Sequence, residues 1–489
     1  MSISSAFNSA TSGLKATSKL ASTISSNVSN ALTAGYAKRT TALSSVVAGG
    51  SGAGVRIGAT SRTESAYLTG ERRLAVASQA ATQARSDAFD RLMDKMGEAG
   101  VSGSLSASGT ALETALMAAV ASPQSTTLQT AAVDAARALV ASINGTATEA
   151  SSVRTEADTE IARQVATVNQ TLHRIDALND KIVNLNLQGV DTLSLQDERG
   201  QLIDSISTII PVKTVNRDGG AVSIYSQNGA TLLDSSVWEL NFTEAPTTVT
   251  FDMTLAGGQL SGLSQDQGGF GGATAIATGS GTGPLDGGSL GALFQVRDTI
   301  VPEYTGEVDR FANDLIERFR DLMPASALDA GGNGLFVDAA AGGVNGLSSR
   351  IGLNAAVDPD QGGASWRLRD GLGATAQGTS GNGAILQAMT DAMSEKRDPT
   401  GFLSQTAKND SSTMASEISA FFSGKSARSD DDLAFLTARA STLSEQETNY
   451  TGVDSDSELQ YLEVVQQAYA ANAKVLTTID SLMQTLLDI

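Results

Sequence analysis

The stretch ELQYLEVVQQAYAANAKVLTTIDSLMQTLL, residues 458–487, decides the fold. Apolar residues recur along it in alternating steps of three and four, and one asparagine completes the pattern. These positions are Leu462, Val465, Tyr469, Asn472, Leu476, Ile479, Met483 and Leu486. Such an a/d heptad pattern, sustained for more than three repeats, is typical of a helix that packs along a partner helix. The sequence therefore predicts a C-terminal coiled-coil helix.

The beginning of the chain has a matching pattern, and neither end shows a second apolar face. Its seam positions are Ile3, Phe7, Ala10, Leu14, Thr17, Ala21, Ile24 and Val28. The pattern predicts a helix over residues 4–34 that stops at Gly35. Burial of its few large side chains would contribute ~10 kcal/mol, whereas ordering the backbone costs ~1–2 kcal/mol per residue. We therefore expect the two terminal helices to pair with each other only when copies of the chain assemble.

Charge is distributed unevenly along the 489 residues. The 53 acidic and 33 basic residues give a net charge of −20, which argues against a nucleic-acid partner. Residues 1–63 contain six basic residues and no acid, whereas residues 430–489 contain eleven acids and two bases. We expect these complementary ends to attract each other, either within a chain or between subunits.

The composition leaves little material for catalysis or metal binding. The chain has no cysteine and one histidine, His173, which excludes thiolate sites and disfavours histidine-based zinc sites and triads. The loop 279–283 contains glycines but lacks the Lys-Ser/Thr of a phosphate loop. The acidic groups at 358–360 and 454–458 lack the spacing of a calcium loop. We predict no catalytic residue, cofactor or metal.

No apolar run approaches the ~20 residues that a membrane span needs. The N-terminus also lacks the basic head and apolar core of a secretory signal peptide. We therefore expect no membrane insertion, and a protein that leaves the cell, if it does, by a route without a cleaved signal.

The changes in period along the chain predict a multidomain α+β fold. In it, a terminal coiled coil and a long helical bundle form a stalk that carries an inserted antiparallel β domain. Residues 1–45 and 450–489 form the terminal domain. Residues 46–210, 290–323 and 384–449 form a helical rod, residues 211–289 an outer β domain, and residues 324–383 a small irregular or second outer segment.

Finer predictions follow from local composition. Strands are expected at 212–215, 221–225, 231–233, 238–242 and 249–255, and short ones near 335–337 and 366–368. Residues 257–291 are rich in glycine and are expected to be mobile or to form a long loop. Residues 402–422 and 431–449 are expected to form separate helices, with three aspartates at the start of the second.

Both ends of the chain resemble the bacterial flagellar axial proteins. The motifs are Asn27-Val-Ser-Asn30 with Ala34-Gly35-Tyr36-Ala-Lys-Arg39, and the C-terminal segments Glu458–Leu462 and Gln466–Leu476. The helix-to-strand transition, from Leu195 to Tyr225, resembles that of family members at the hook–filament junction. The resemblance implies a structural subunit of the flagellum that is secreted unfolded by type III export. The partners it implies are other copies, the hook protein, a second junction protein (hook-associated protein 3) and an export chaperone on the C-terminal helix.

We expect assembly to use side chains from both ends of the chain. The predicted interface comprises Ile3, Phe7, Leu14, Ile24, Val28, Asn30, Gly35, Tyr36, Leu462, Val465, Tyr469, Asn472, Leu476, Ile479, Met483 and Leu486. Two alternatives remain open. The chain could be a hook or flagellin-like subunit of the same family, or a secreted adhesin whose β domain binds glycans.

Overall fold

The computed structural model describes residues 3–48, 51–267 and 270–487. The helices are α1 (Ile3–Ser29), α2 (Ala66–Met96), α3 (Leu105–Ala121), α4 (Thr126–Leu187), α5 (Leu193–Ser207), α6 (Ser289–Gln295), α7 (Val301–Asp321), α8 (Arg367–Asp370), α9 (Ala384–Ser394), α10 (Ser411–Thr451) and α11 (Ser455–Leu487). The strands are β1 (Arg39–Ala48), β2 (Ser51–Arg62), β3 (Val212–Asn216), β4 (Val222–Ser226), β5 (Thr231–Leu233), β6 (Glu239–Asn241), β7 (Leu263–Gln267), β8 (Phe270–Ile276), β9 (Phe336–Asp338) and β10 (Ile351–Leu353). The mixed α+β class is confirmed.

All the sheets are small and antiparallel. β1 pairs with β2, β9 pairs with β10, and two three-stranded sheets have the orders β3-β4-β5 and β6-β7-β8. The three-stranded sheets lie between α5 and α6, where the sequence predicts an antiparallel β domain. Val212 pairs with Ser226 at the start of the first of them.

A helical body forms the largest core of the molecule. Helices α2, α3, α4, α7, α9 and α10 share it, with side chains such as Leu92, Leu116 and Phe319 fully buried. The segment 324–383 also contributes to this core, because the ring of Phe336 packs edge-on against that of Phe319, with centroids 5.2 Å apart. This segment therefore shares the core of the helical body.

Helix α4 links the helical body to the β sheets. Its N-terminal half contributes Val133 and Ile143 to the core of the body, and its C-terminal half contributes Ile161 and Ile175 to the core beneath the sheets. The Ser125 hydroxyl caps its first turn by accepting from the Leu128 N–H. The sequence predicts this helix over 125–188, close to the observed bounds.

The prediction of a strand at 249–255 is wrong, and so is that of a loop throughout 257–291. Buried Arg154 donates to the carbonyls of Thr250 at 2.7 Å and Met253 at 2.8 Å. The guanidinium thus satisfies backbone groups that a neighbouring strand would otherwise need to bind. The next segment instead forms β7 and β8.

The predicted break between helices 402–422 and 431–449 is absent, since α10 is continuous. Ser426 and Ser429 are buried in it beside α2, so these small residues permit close helix packing instead of a turn. The three aspartates therefore lie inside the helix. Its start is later than predicted, because Asp410 caps it by accepting from the Thr413 N–H at 2.8 Å.

Three smaller predictions also differ from the structure. The prediction of a short strand at 366–368 is wrong, because Trp366 caps α8 and the next two residues begin it. Helix α1 ends at Ser29, before the predicted 34, and the chain turns back through Gly35 at φ +72°. Pro302 predicts a bend or a restart in the helical segment 290–322, and the structure has a π-helical turn over 296–300 just before it. Proline clashes with the carbonyl four residues earlier, and the wider turn accommodates it.

The terminal helices and their junction with the helical body

Helices α1 and α11 pack antiparallel to each other. Asn27 at the end of α1 contacts Glu458 at the start of α11, and Gly13 lies against Asn472 further along. A Cβ on Gly13 would lie 2.8 Å from the Asn472 Oδ1, so glycine permits this close crossing. The apolar cluster between the two helices contains the buried side chains Leu20, Ile24 and Val465.

The structure places the predicted seam residues at very different depths. Ile24, Val465 and Ile479 are buried. Leu14, Val28, Leu462, Asn472 and Leu476 are half-buried, and Ile3, Phe7, Tyr469 and Met483 are exposed. The side chain of Leu486 lies outside the described residues. The role of these residues in assembly stays a prediction.

Helix α11 has a second apolar face that the sequence analysis missed. Tyr461, Val464, Val475 and Leu482 are each 45–59% exposed. They lie one residue before the seam positions, on the same three-four rhythm, so the signal was present in the sequence. The expectation that neither terminal helix has a second apolar face is therefore wrong for α11.

The β1–β2 hairpin covers the other side of α1. The Ser12 hydroxyl accepts from the Val55 N–H at 3.1 Å, and the Thr23 and Thr41 hydroxyls lie 2.9 Å apart. Helix α1 is thus held between α11 and the hairpin. We call α1, β1, β2 and α11 together the terminal unit.

Asn27 is the centre of the polar contacts in the terminal unit. Its side chain is 1% exposed. Its Nδ2 donates to the Arg39 carbonyl at 2.9 Å and to the Glu458 carboxylate at 3.1 Å. Its Oδ1 accepts from the Arg39 N–H and from the Tyr36 hydroxyl, both at 2.9 Å. One amide therefore ties together α1, the following turn, β1 and α11.

A polar junction connects the terminal unit to α5 and to the end of α10. Arg39 Nη2 lies 2.5 Å from Asp197 Oδ2 on α5, and Arg62 Nε lies 3.1 Å from Asp197 Oδ1. Burial raises the pKa of Asp197, although the charges of Arg62 and Arg39 oppose that rise. Lys38 binds Glu458 at 2.8 Å, and its N–H donates to the Thr451 carbonyl at 2.8 Å. The junction depends on charged contacts.

Two separate features of the junction require glycine at position 35. Its φ of +72° is in the left-handed region, and a Cβ there would lie 2.5 Å from the Gln201 Nε2. That amide donates to the Ala34 carbonyl. Beside this contact is a polar cavity of about 390 Å³ that Lys19, Tyr36 and Asp197 help to line.

Some of the predicted interface residues lie in the polar junction, and the junction also contains residues that the prediction omitted. Gly35 and Tyr36 lie in the junction, whereas Asn30 is half-buried and its amide donates to the Ser26 carbonyl at 2.9 Å. The quoted terminal motifs included Asn27, Arg39 and Glu458, but the predicted interface omitted all three. Asp197 carried no local signal, because its partners are far away in the chain.

The features considered for chemistry have structural partners. The Asp286 carboxylate accepts from the Gly279 N–H at 3.1 Å and the Gly283 N–H at 2.9 Å, so it occupies donors that a phosphate would need. His173 is exposed and lies 2.8 Å from Glu239. Within the described ranges, no helix is both long and apolar enough to cross a membrane.

The comparisons with known proteins place the chain in two steps. Residues 448–489, which include α11, match the C-terminal family of the flagellar basal body rod FlgEFG proteins, so this end is of the flagellar axial class. Residues 89–334, half of the chain, match the helical domain of the flagellar hook-associated protein FlgK. The chain belongs to the FlgK family of flagellar hook-associated proteins.

Individual proteins of known name share only low sequence identity with this chain. The chain is 26% identical over 241 residues to flagellar hook-associated protein 1 of Salmonella typhimurium, which covers 48% of this chain and 43% of that protein. The Escherichia coli protein of the same name is also 26% identical, with 44% of its length covered. The solved flagellar hook junction protein FlgK from Burkholderia pseudomallei aligns with a TM-score of 0.46 and 16% identity, over 56% of this chain and 46% of that one.

Proposed function

We propose that this protein is a structural subunit that joins the hook to the filament of the bacterial flagellum. It assembles with its own copies through the terminal unit. The observation that carries the proposal is the exposed apolar surface on both terminal helices, which includes Phe7 at 50%, Tyr469 at 49% and Val464 at 59%. Exposed apolar surface of this extent on two adjacent helices favours a protein partner.

The terminal helices are long in relation to the core that they share. Helix α11 has 33 residues, yet Val465 and Ile479 are its buried apolar side chains among those described. Helices gain most of their stability from burying an apolar face. Further copies would cover the rest of that face, so the unit becomes fully packed only in the assembled flagellum.

The same surface accounts for the other proposed partners. The neighbours along the axis are the hook protein and hook-associated protein 3, and the exposed face of α11 offers a binding surface to an export chaperone before assembly. The protein is exported without a cleaved signal and works outside the cell. Its role is structural and not catalytic.

The proposal is tested by placing charges in the seam. The double variant Leu462→Asp/Leu476→Asp puts two carboxylates into the half-buried α1–α11 contact. We expect it to abolish swimming and filament attachment, while the variant protein is still found in the medium. Unimpaired swimming contradicts the proposal.

The matched control is Gln460→Asp/Thr477→Asp, which adds the same charge at exposed positions of the same helix. Deletion of the gene separates this role from the hook alternative. Shedding of unassembled filament subunits with an intact hook supports the junction role, and loss of the hook itself supports the hook role.

A further inference from the structure

Most charged side chains in the described parts of the terminal unit form no ion pair. Among the described residues, Lys15 and Lys19 of α1 form no ion pair, and neither do the exposed Glu463 and Asp480 of α11. In the part of the chain that the structure describes, Lys38–Glu458 is the ion pair that joins the basic and acidic termini of one copy. The complementary charges of the two ends therefore remain available to a second copy.

The basic side chains border an open groove between α1 and α11. Leu14, Lys15, Ser18, Lys19, Ser22 and Tyr469 line its volume of about 460 Å³. Leu14 and Tyr469 provide apolar surface, and the two lysines provide positive charge at the rim. We call these six residues the basic groove.

Another part of α11 has the opposite character. Glu463 is exposed and lies one helical turn from Leu459 and next to Val464, which are 51% and 59% exposed. These residues, which we call the acidic patch, combine a carboxylate with apolar surface. The basic groove and the acidic patch therefore match in both charge and hydrophobicity.

We propose that the basic groove of one copy receives the acidic patch of a neighbouring copy. This inference rests on the proposed function and names the surface through which copies meet. Because the two surfaces differ, the contact is heterologous, and repeated contacts build a ring or a helical array. The excess negative charge of the whole chain opposes association elsewhere, so this local attraction also selects the orientation.

The first test reverses the charges of Lys15 and Glu463, first one at a time and then both in one protein. Lys15→Glu places a carboxylate opposite Glu463 of the neighbour, and we expect about tenfold fewer attached filaments, since like charges across an interface oppose binding. Glu463→Lys should have a similar effect. The double variant Lys15→Glu/Glu463→Lys restores opposite charges and should return the count to within about twofold of the original protein.

The control is Lys408→Glu, which makes the same charge change at an exposed position of the helical body and should leave the count unchanged. Each variant is checked for secretion into the medium. If Lys15→Glu has no effect, or if Glu463→Lys does not rescue it, the inference is overturned. The proposed function stands in either case if Leu462→Asp/Leu476→Asp still abolishes attachment.

The second test separates contacts between copies from contacts within one copy. The chain has no cysteine, so introduced pairs cross-link without background. Ser18→Cys and Val464→Cys are carried on separate co-expressed copies, and isolated flagella are oxidised. A covalent dimer from the mixture, absent from either variant alone, is expected. Absence of that dimer overturns the inference.

Discussion

The helical body and the terminal unit are both built on long helices, but they differ in what covers those helices. The body buries aromatic rings completely. These are Tyr304, Phe311, Phe319, Phe336 and Phe422. The apolar cluster of the terminal unit contains three buried aliphatic side chains, Leu20, Ile24 and Val465.

The difference shows that helix length and heptad pattern do not determine whether a region is self-sufficient. In the body, each helix is covered on several sides by others. In the terminal unit, α11 packs mainly on α1, and its second apolar face stays exposed. We therefore expect two separate unfolding transitions in the isolated chain, with the terminal unit at the lower temperature.

The largest expected effect is in the body. Phe319→Ala removes a fully buried ring and should lower the free energy of unfolding of the body by about 3–5 kcal/mol. Phe435→Ala, on the 67% exposed ring in α10, is the matched control and should change it by less than about 0.5 kcal/mol. Thermal unfolding followed by circular dichroism measures both. If both variants lowered the free energy of unfolding equally, burial of the Phe319 ring would not explain the stability of the body.

The next effect is in the terminal unit. Asn27→Ala leaves the N–H and the carbonyl of Arg39 without their buried side-chain partner and leaves the Glu458 carboxylate bound to Lys38 alone, so we expect a loss of about 2–4 kcal/mol. Asn30→Ala, which removes two exposed hydrogen bonds, one of them long at 3.4 Å, should cost under about 1 kcal/mol. Hydrogen exchange of residues 20–40 measures the difference. An increase in exchange throughout the body would show that the two regions unfold together.

The junction between the regions is tested at Gly35. Gly35→Ala combines left-handed strain with a clash against Gln201, whereas Gly189→Ala has the same φ of +72° and open space. We expect a loss of about 2–3 kcal/mol for the first and about 1 kcal/mol for the second. On a Gln201→Ala background the cost of Gly35→Ala should fall to that of Gly189→Ala. If Gly35→Ala costs the same free energy of unfolding on both backgrounds, a clash with Gln201 is not the cause of the loss.

The smallest expected effect concerns the Asp410 carboxylate, which caps α10. It tests whether protonation of a group in the helical body changes the stability of that body alone. Burial alone would raise the pKa of Asp410, but hydrogen bonds from the Thr413 N–H and nearby hydroxyls hold it below its usual range. The folded pKa lies below the unfolded value of about 4, so the stabilisation is complete above about pH 4 and is lost as the pH falls through the folded pKa. Asp410→Ala should therefore cost about 1 kcal/mol at neutral pH, and this difference should shrink in acid.

Asp410→Asn keeps the capping oxygen without the charge, so its difference from the alanine variant should not depend on pH. The transition of the terminal unit should be the same in all three proteins. A shift of that transition with Asp410 would mean that the two regions are energetically coupled.

Much of the fold could be predicted, because α4 and the terminal helices have regular apolar periodicity. The errors have a common cause in distant contacts. Residues 249–255 look like a strand, but Arg154 on α4 binds their carbonyls. Ser426 and Ser429 resemble turn residues, but α2 packs closely against them.

The sequence by itself determined the seams of the terminal helices, the opposite charges of the two ends and the absence of thiol chemistry. These properties follow from residue identity and spacing along the chain. The tertiary structure alone decided that Asn27 meets Glu458, 431 positions away, and that Arg39 meets Asp197, 158 positions away. Local periodicity specifies which face of a helix is apolar, whereas the choice of partner depends on how distant segments pack.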